Sequence, residues 1–218
     1  METRAFGGLD RILGEFDKAI KTLSTRARSS RPVPTPAPSP TAVDAAALTD
    51  AERLESVRLM RVNHAGEVAA QALYQGQAFA ARTATVAAAM QHAAAEEADH
   101  LAWCEERLTE LGGATSLLNP VWYVGSFALG ALAGALGDRA SLGFVAETER
   151  QVEAHLRGHL RELAAADERS RAIVAQMTHD EMQHGARAAS LGGEHPPWPV
   201  GAAMGLVSKL MTRGSYWI

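Results

Sequence analysis

Glu96-Glu97-Ala98-Asp99-His100 and Asp180-Glu181-Met182-Gln183-His184 decide the fold. Each carries Glu-x-x-His. Residues three apart on a helix project from one face, so each copy offers a carboxylate and an imidazole to a single point. A lone glutamate stands about thirty residues before each copy, Glu67 before the first and Glu149 before the second. Glu67, Glu97, His100, Glu149, Glu181 and His184 together form a six-ligand set for a two-metal carboxylate centre.

If residues 67 and 97 lie level on antiparallel helices, the turn between them falls near residue 82, where Arg82-Thr83-Ala84-Thr85 offers a threonine N-cap. If 149 and 181 are level, the second turn falls near residue 165. There Ala164-Ala165-Ala166-Asp167-Glu168 supplies an aspartate cap and an acidic first turn. Gly112-Gly113 and Gly192-Gly193 are natural stops after the two Glu-x-x-His helices. The chain therefore reads as a duplicated helical hairpin.

Charge supports the same site. Four buried carboxylates are costly unless compensated, and two divalent cations cancel them, while neutral histidine adds ligation without charge. Such an oxygen-rich set with one imidazole per ion suits iron or manganese. The single cysteine, Cys104, argues against a thiolate site and reads as a small core residue. Glu96 and Asp180, each just before a Glu-x-x-His glutamate, are placed to hydrogen-bond the far nitrogen of the histidine on the opposite helix.

Asn63-His64-Ala65-Gly66-Glu67, Glu96-Glu97-Ala98-Asp99-His100, Glu147-Thr148-Glu149 and Asp180-Glu181-Met182-Gln183-His184 resemble the demethoxyubiquinone hydroxylases of ubiquinone biosynthesis. The likeness runs from about residue 50 to the C-terminus. It implies an all-α, ferritin-like four-helix bundle of two helical hairpins with extra apolar helices. It also implies two iron ions per chain, held by the six residues above and bridged by Glu97 and Glu181. The activity implied is O2-dependent hydroxylation of a polyprenylated demethoxybenzoquinol, 3-demethoxyubiquinol to 3-demethylubiquinol, and a ubiquinone-biosynthesis complex is an expected partner.

The 218 residues are 47% hydrophobic, with only three Tyr and five Phe, so a helical core is expected and strands are not. A net charge of -4 gives no reason to expect nucleic acid. Residues 49–218 have the size of one domain. Before them, Phe6, Leu9, Leu13, Phe16, Ile20 and Leu23 recur at helical steps, predicting an amphipathic helix over 5–23 within an N-terminal unit of residues 1–23. Alternate prolines from Pro32 to Pro40 predict an extended tether within a linker of residues 24–48. Glu2, Asp10, Glu15 and Asp17 argue against an organelle transit peptide, and no apolar signal core is present, so a bacterial cytoplasmic location is expected.

Residues 111–137 carry no charged side chain, but Pro120 and repeated glycines leave only a short apolar run. An odd number of bilayer crossings would also split the metal site. The remaining choices are a core helix or an apolar helix lying in the interface, and we expect peripheral attachment to the cytoplasmic face of the membrane. Trp122 and Tyr123 would sit at the headgroups, with a second apolar patch over Trp198–Trp217.

Tyr74, seven residues after Glu67 on nearly the same face, is a candidate hydrogen-bond donor or electron relay, although such a tyrosine is more often core. His155, six after Glu149, is a candidate for substrate contact or proton relay. Glu147 and Glu153 rival Glu149 as ligands, the duplication spacing favouring Glu149. His64, His92 and His159 read as capping or surface groups, and His179 as pointing away from His184. A rubrerythrin- or catalase-like di-metal protein acting on peroxide would use the same ligands without an apolar channel. A helical scaffold would bind no stoichiometric metal.

Overall fold

The computed structural model describes residues 8–36 and 48–218. Residues 5–7 of the predicted first helix and Pro38 and Pro40 of the expected tether lie outside these. Every regular element among the described residues is a helix: α1 (Gly8–Ser24), α2 (Asp50–Ala80), α3 (Ala84–Glu110), α4 (Asn119–Ala135), α5 (Asp138–Glu162), α6 (Glu168–Ser190) and α7 (Trp198–Trp217). Helices α2 and α3 form one hairpin and α5 and α6 the other, while α4 fills the crossover between them and packs along α2.

The boundaries have local causes. Thr49 and Glu52 make a reciprocal capping box at the start of α2, with Thr49 Oγ1 accepting from Glu52 N–H at 3.3 Å and Glu52 Oε2 accepting from Thr49 N–H at 2.9 Å. Such a cap contributes about 1 kcal/mol. Thr83 caps α3 by accepting from Val86 N–H at 3.3 Å, and Asp167 caps α6 by accepting from Ser170 N–H at 3.0 Å. Both hairpin turns thus fall where the spacing predicts. Gly112 and Gly192 stop α3 and α6 with φ of 72° and 92°, a left-handed backbone that favours glycine.

Each of the four bundle glutamates is flanked on its own helix by buried residues two turns before and two turns after. Met60 and Tyr74 flank Glu67, and Met90 and Cys104 flank Glu97. Leu142 and Leu156 flank Glu149, and Val174 and Ala188 flank Glu181. Seven residues are nearly two turns, so all twelve side chains face inward in three layers. One apolar layer contains Met60, Trp103, Leu108, Leu156, Ile173 and Met177, and the other contains Tyr74, Val86, Met90, Leu142 and Val145. The polar layer lies between. Burial of each large apolar side chain contributes roughly 1.5–3 kcal/mol, and that packing carries the cost of burying the carboxylates.

Helix α4 touches α2 at glycines: a Cβ on Gly130 would collide with the Leu73 carbonyl, and one on Gly76 with that of Phe127. Its inner face buries Tyr123, Gly130, Ala133 and Gly134, while Val121, Val124, Leu132 and Leu136 are exposed. Among the described residues, no helix is long and apolar enough to cross a membrane. Tyr123 and Trp122 are not free for headgroups as expected. Tyr123 is buried with its hydroxyl donating to Gln75 Oε1, and Trp122 Nε1 donates to Ser215 Oγ of α7 at 3.0 Å.

Helix α1 presents Ala19 and Leu23 to Val68 and Leu101, and Thr22 hydrogen-bonds Gln71 of α2. Leu9, Leu13, Phe16 and Ile20 are exposed. The chain that follows α1 lies against α3, with Ala27 N–H donating to Glu105 Oε2 at 2.9 Å and Ser30 N–H donating to Asp99 Oδ1 at 2.6 Å.

Candidate metal centre

Four helices bring six buried side chains together. Glu67, Glu97, His100 and Glu181 each present a ligand atom within 4.8 Å of the others, as do Glu97, Glu149, Glu181 and His184. Glu97 and Glu181 belong to both clusters. His100 Nδ1 lies 2.8 Å from Glu97 Oε2, 3.2 Å from Glu181 Oε1 and 3.6 Å from Glu67 Oε2. His184 Nδ1 lies 3.1 Å from Glu181 Oε2 and 3.2 Å from Glu97 Oε1. Both imidazoles aim Nδ1 inward.

Close approach here is not hydrogen bonding throughout. Both Glu97 oxygens, His100 Nδ1 and Glu149 Oε1 are buried without a hydrogen-bond partner among the described residues. An unsatisfied buried polar atom costs about 1–3 kcal/mol, and these converge on the two clusters. Burial pushes Glu67 and Glu149 well above the usual carboxylate range. Burial also opposes ionisation of Glu97, but His100 and His184 hold it low. Against the burial that would lower it, His184 is drawn up to about 12 by Glu181 and Glu97. The layer is short of positive charge, and the orphaned atoms and oxygen-rich donor set fit divalent cations with iron- or manganese-like preferences.

The outward nitrogens meet the two acids expected there. His100 Nε2 lies 2.9 Å from Asp180 Oδ2, and His184 Nε2 lies 3.0 Å from Glu96 Oε2. Each bond joins opposite helices and fixes Nδ1 as the inward nitrogen.

Of the three acids considered on α5, only Glu149 enters a cluster. Glu147 pairs with Arg150 at 2.7 Å, and Glu153 with Arg157 at 2.8 Å. Tyr74 is fully buried in the apolar layer, about 10 Å along the α2 axis from Glu67, with an unpartnered hydroxyl. His155 lines a crevice between α2, α5 and α7, whose walls include Val62, Gly66, Val152 and Met211 and which reaches Glu67, Glu149 and Glu181. Its Nε2 is buried and unpartnered among the described residues, and burial lowers its pKa, favouring the neutral ring.

His64 and His159 are buried rather than capping or surface groups. Asn119 Nδ2 lies 3.3 Å from His64 Nδ1, and His159 Nδ1 lies 2.7 Å from Asn63 Oδ1. Burial brings His64 down to about 4 and His159 to about 3, favouring neutral rings. The Asn-His-Ala-Gly-Glu element thereby acquires a physical role: Asn63 and His64 tie α2 to α5 and α4, and Gly66 leaves open space beside Glu67. His92 and His179 are exposed, paired with Glu96 and Gln183.

Sequence reasoning missed Arg31. Its Nε donates to Asp99 Oδ2 at 2.7 Å and its Nη1 to Asp180 Oδ2 at 2.8 Å. The signal available was an arginine at the head of the proline run, which also fits a tether.

A bundle of two helical hairpins with buried Glu/His clusters sharing two carboxylates defines a ferritin-like carboxylate protein. Residues 55–215 match the family described as ubiquinone biosynthesis protein COQ7, and the chain belongs to that family. It is 56% identical over 209 residues to the 3-demethoxyubiquinol 3-hydroxylase of Burkholderia lata, covering 96% of this chain and 99% of that protein. It is 55% identical over 216 residues to the protein of that name from Bordetella petrii, covering 99% of this chain and 94% of the relative. The protein of that name from Nitrosospira multiformis is 55% identical over 210 residues, with 96% and 99% covered.

Proposed function

We propose that this chain is an O2-dependent di-iron monooxygenase that hydroxylates 3-demethoxyubiquinol to 3-demethylubiquinol in ubiquinone biosynthesis. The supporting observation is the pair of buried Glu/His clusters sharing Glu97 and Glu181, with orphaned carboxylate oxygens turned into them. In this reading Glu67, Glu97, His100 and Glu181 hold one iron and Glu97, Glu149, Glu181 and His184 the other. When bound, the two ferrous ions supply electrons and Lewis acidity for O2 activation.

The chain's own residues do the rest. Asp180 and Glu96 accept the Nε2 protons of His100 and His184, holding each Nδ1 inward as a ligand. The apolar layers exclude water on both sides along the bundle axis. The crevice between α2, α5 and α7 admits the quinol ring, its apolar walls suiting a prenylated substrate. There the neutral His155 hydrogen-bonds a ring hydroxyl through Nε2. Tyr74, about two helical turns from Glu67, is not a ligand, and its buried hydroxyl makes at most a minor contribution as an electron relay. One oxygen atom of O2 is inserted into a ring C–H bond and the other leaves as water, with two electrons from an external reductant and two protons from solvent.

Attachment to the cytoplasmic face of the membrane belongs to the same proposal, because a polyprenyl quinol resides in the bilayer. Exposed Leu132 of α4, Leu136 just past its end, and exposed Trp198, Leu206, Leu210 and Trp217 of α7 support it. A ubiquinone-biosynthesis complex is the proposed setting. Flotation with anionic liposomes tests the membrane part: Leu132→Asp with Leu206→Asp should abolish co-flotation, and unchanged flotation would contradict it.

The activity is tested by mixing anaerobic, iron-loaded protein with 3-demethoxyubiquinol, reductant and 18O2. One labelled oxygen in the ring is the expected result. Rapid turnover of hydrogen peroxide with the quinol unchanged would instead select the rubrerythrin- or catalase-like reading.

A further inference from the structure

We infer that Arg31 is a positioning residue for the iron held by His100, and that the segment after α1 makes the two metal positions unequal. The inference rests on the di-iron reading and extends it to one of the two ions.

Arg31 lies far from the Glu-x-x-His helices in sequence, yet its guanidinium spans two acids beside His100. It donates through Nε to Asp99 at 2.7 Å and through Nη1 to Asp180 at 2.8 Å, using the same Asp180 oxygen that meets His100 Nε2 at 2.9 Å. Gln176 Nε2 donates to the other Asp180 oxygen at 2.8 Å. Asp180 is therefore held on both oxygens.

The arm is built to keep Arg31 there. Asp99 accepts from Ser30 N–H at 2.6 Å and from Ser29 Oγ at 3.1 Å. Trp103 Nε1 donates to Ser29 Oγ at 3.0 Å, and its ring lies 4.7 Å beneath the guanidinium and 5.2 Å from the His100 ring. A planar, forked cation stacked on an aromatic face and shared by two carboxylates is a place where lysine does not substitute for arginine.

Among the described residues, no arginine or lysine pairs with the acid behind His184. Its partner Glu96 is bonded to His92 at 2.9 Å on an exposed surface. The side chain of Glu96 is 36% exposed, against 10% for Asp180. Arg31 fixes the Asp180–His100 bond and draws negative charge away from it. The iron at His100 is consequently bound more rigidly and held at a higher potential than it would be without the guanidinium.

The test is anaerobic 57Fe(II) binding to full-length protein, followed by equilibrium titration and Mössbauer spectroscopy, with potentiometry on the loaded samples. Outer partners of metal ligands carry about 10–100-fold in affinity. Arg31 acts one contact further out, so Arg31→Gln should weaken one of the two irons by about 5–10-fold. It should change only that iron's quadrupole doublet and lower the potential. Arg31→Lys should recover part of the affinity, because one ammonium cannot replace the fork. Glu96→Gln should perturb the other doublet.

If the wild type binds two irons and Arg31→Gln leaves both doublets and both affinities unchanged, the inference is overturned while the di-iron reading stands. Equal weakening of both irons, accompanied by a fall in the apo protein's thermal midpoint, would reduce Arg31 to general stabilisation and also overturn it. A wild type that binds no iron would remove the reading on which it rests.

Discussion

His100 and His184 occupy matching positions in two helical hairpins, yet the acids behind them are held differently. Behind His100, Asp180 is shielded and fixed by Arg31 and Gln176. Behind His184, Glu96 reaches the surface and shares its contact with His92. Duplication reproduces residues that face inward at helical spacing, because the proposed ligands must close around the same two points. It does not reproduce what covers the outside, since the single N-terminal arm lies against only one flank. Equal ligands and unequal surroundings are thus the expected product of doubling a hairpin and adding one arm.

The largest expected effect erases the comparison. Glu181→Ala removes a carboxylate common to both clusters, so both irons should be lost and hydroxylation should fall by more than the about 10–100-fold typical of outer partners. Iron analysis with quinol turnover checks this, and retention of one full iron would show that the clusters are separable. Next in size, Asp180→Asn and Glu96→Gln should each weaken one iron by about 10–100-fold. The buried Asp180 should cost more, as read by ferrous titration, and equal losses would break the asymmetry.

The hairpin turns offer a test in stability. The buried Asp167 caps α6 and pairs with the partly buried Arg107 at 2.8 Å, whereas Thr83 caps α3 at an exposed turn beside Asp138. Asp167→Ala should cost about 2–3 kcal/mol and Thr83→Ala about 1 kcal/mol in urea unfolding. Burial alone would raise the Asp167 carboxyl, but the neighbouring Ser56 hydroxyl, the hydrogen bond from Ser170 N–H and the Arg107 charge hold it below the usual aspartate range. Its contribution is therefore complete above the unfolded aspartate pKa, about 3.9, and is lost as pH falls through the depressed folded value. The gap between wild type and Asp167→Asn should narrow in acid and be constant at neutral pH.

The smallest expected effect is that of Tyr74→Phe, a loss of about twofold or less in stability-corrected turnover, since only an unpartnered hydroxyl is removed. A shift in the rate of electron delivery, with iron content unchanged, would mark it as a relay.

The inward-facing half of this structure was legible in the sequence. Glu67, Glu97, Glu149 and Glu181 could be aligned because an antiparallel hairpin converts spacing into height, and Thr83 and Asp167 marked the turns. Glu147 and Glu153 could be set against Glu149 by the same spacing, although only the packing showed their arginine partners. The outward half was not legible. Arg31 meets Asp180 across most of the chain, and no periodicity records such a contact. The prolines after Arg31 suggested a tether, which hid a side chain anchored to Asp99. His64 and His159 looked like surface groups because their partners, Asn119 and Asn63, lie on other helices. Tyr123 seemed suited to headgroups because periodicity does not record the glycine contacts that seat α4 on α2 and bury that ring.

The most direct test is one anaerobic sample titrated with ferrous iron and then given 3-demethoxyubiquinol and oxygen. Saturation at about two irons per chain, as the proposed six ligands require, is expected, with inequivalent spectra and conversion of the quinol to its hydroxylated product. Absence of saturable iron, or two irons with an unchanged quinol, would contradict the proposed function.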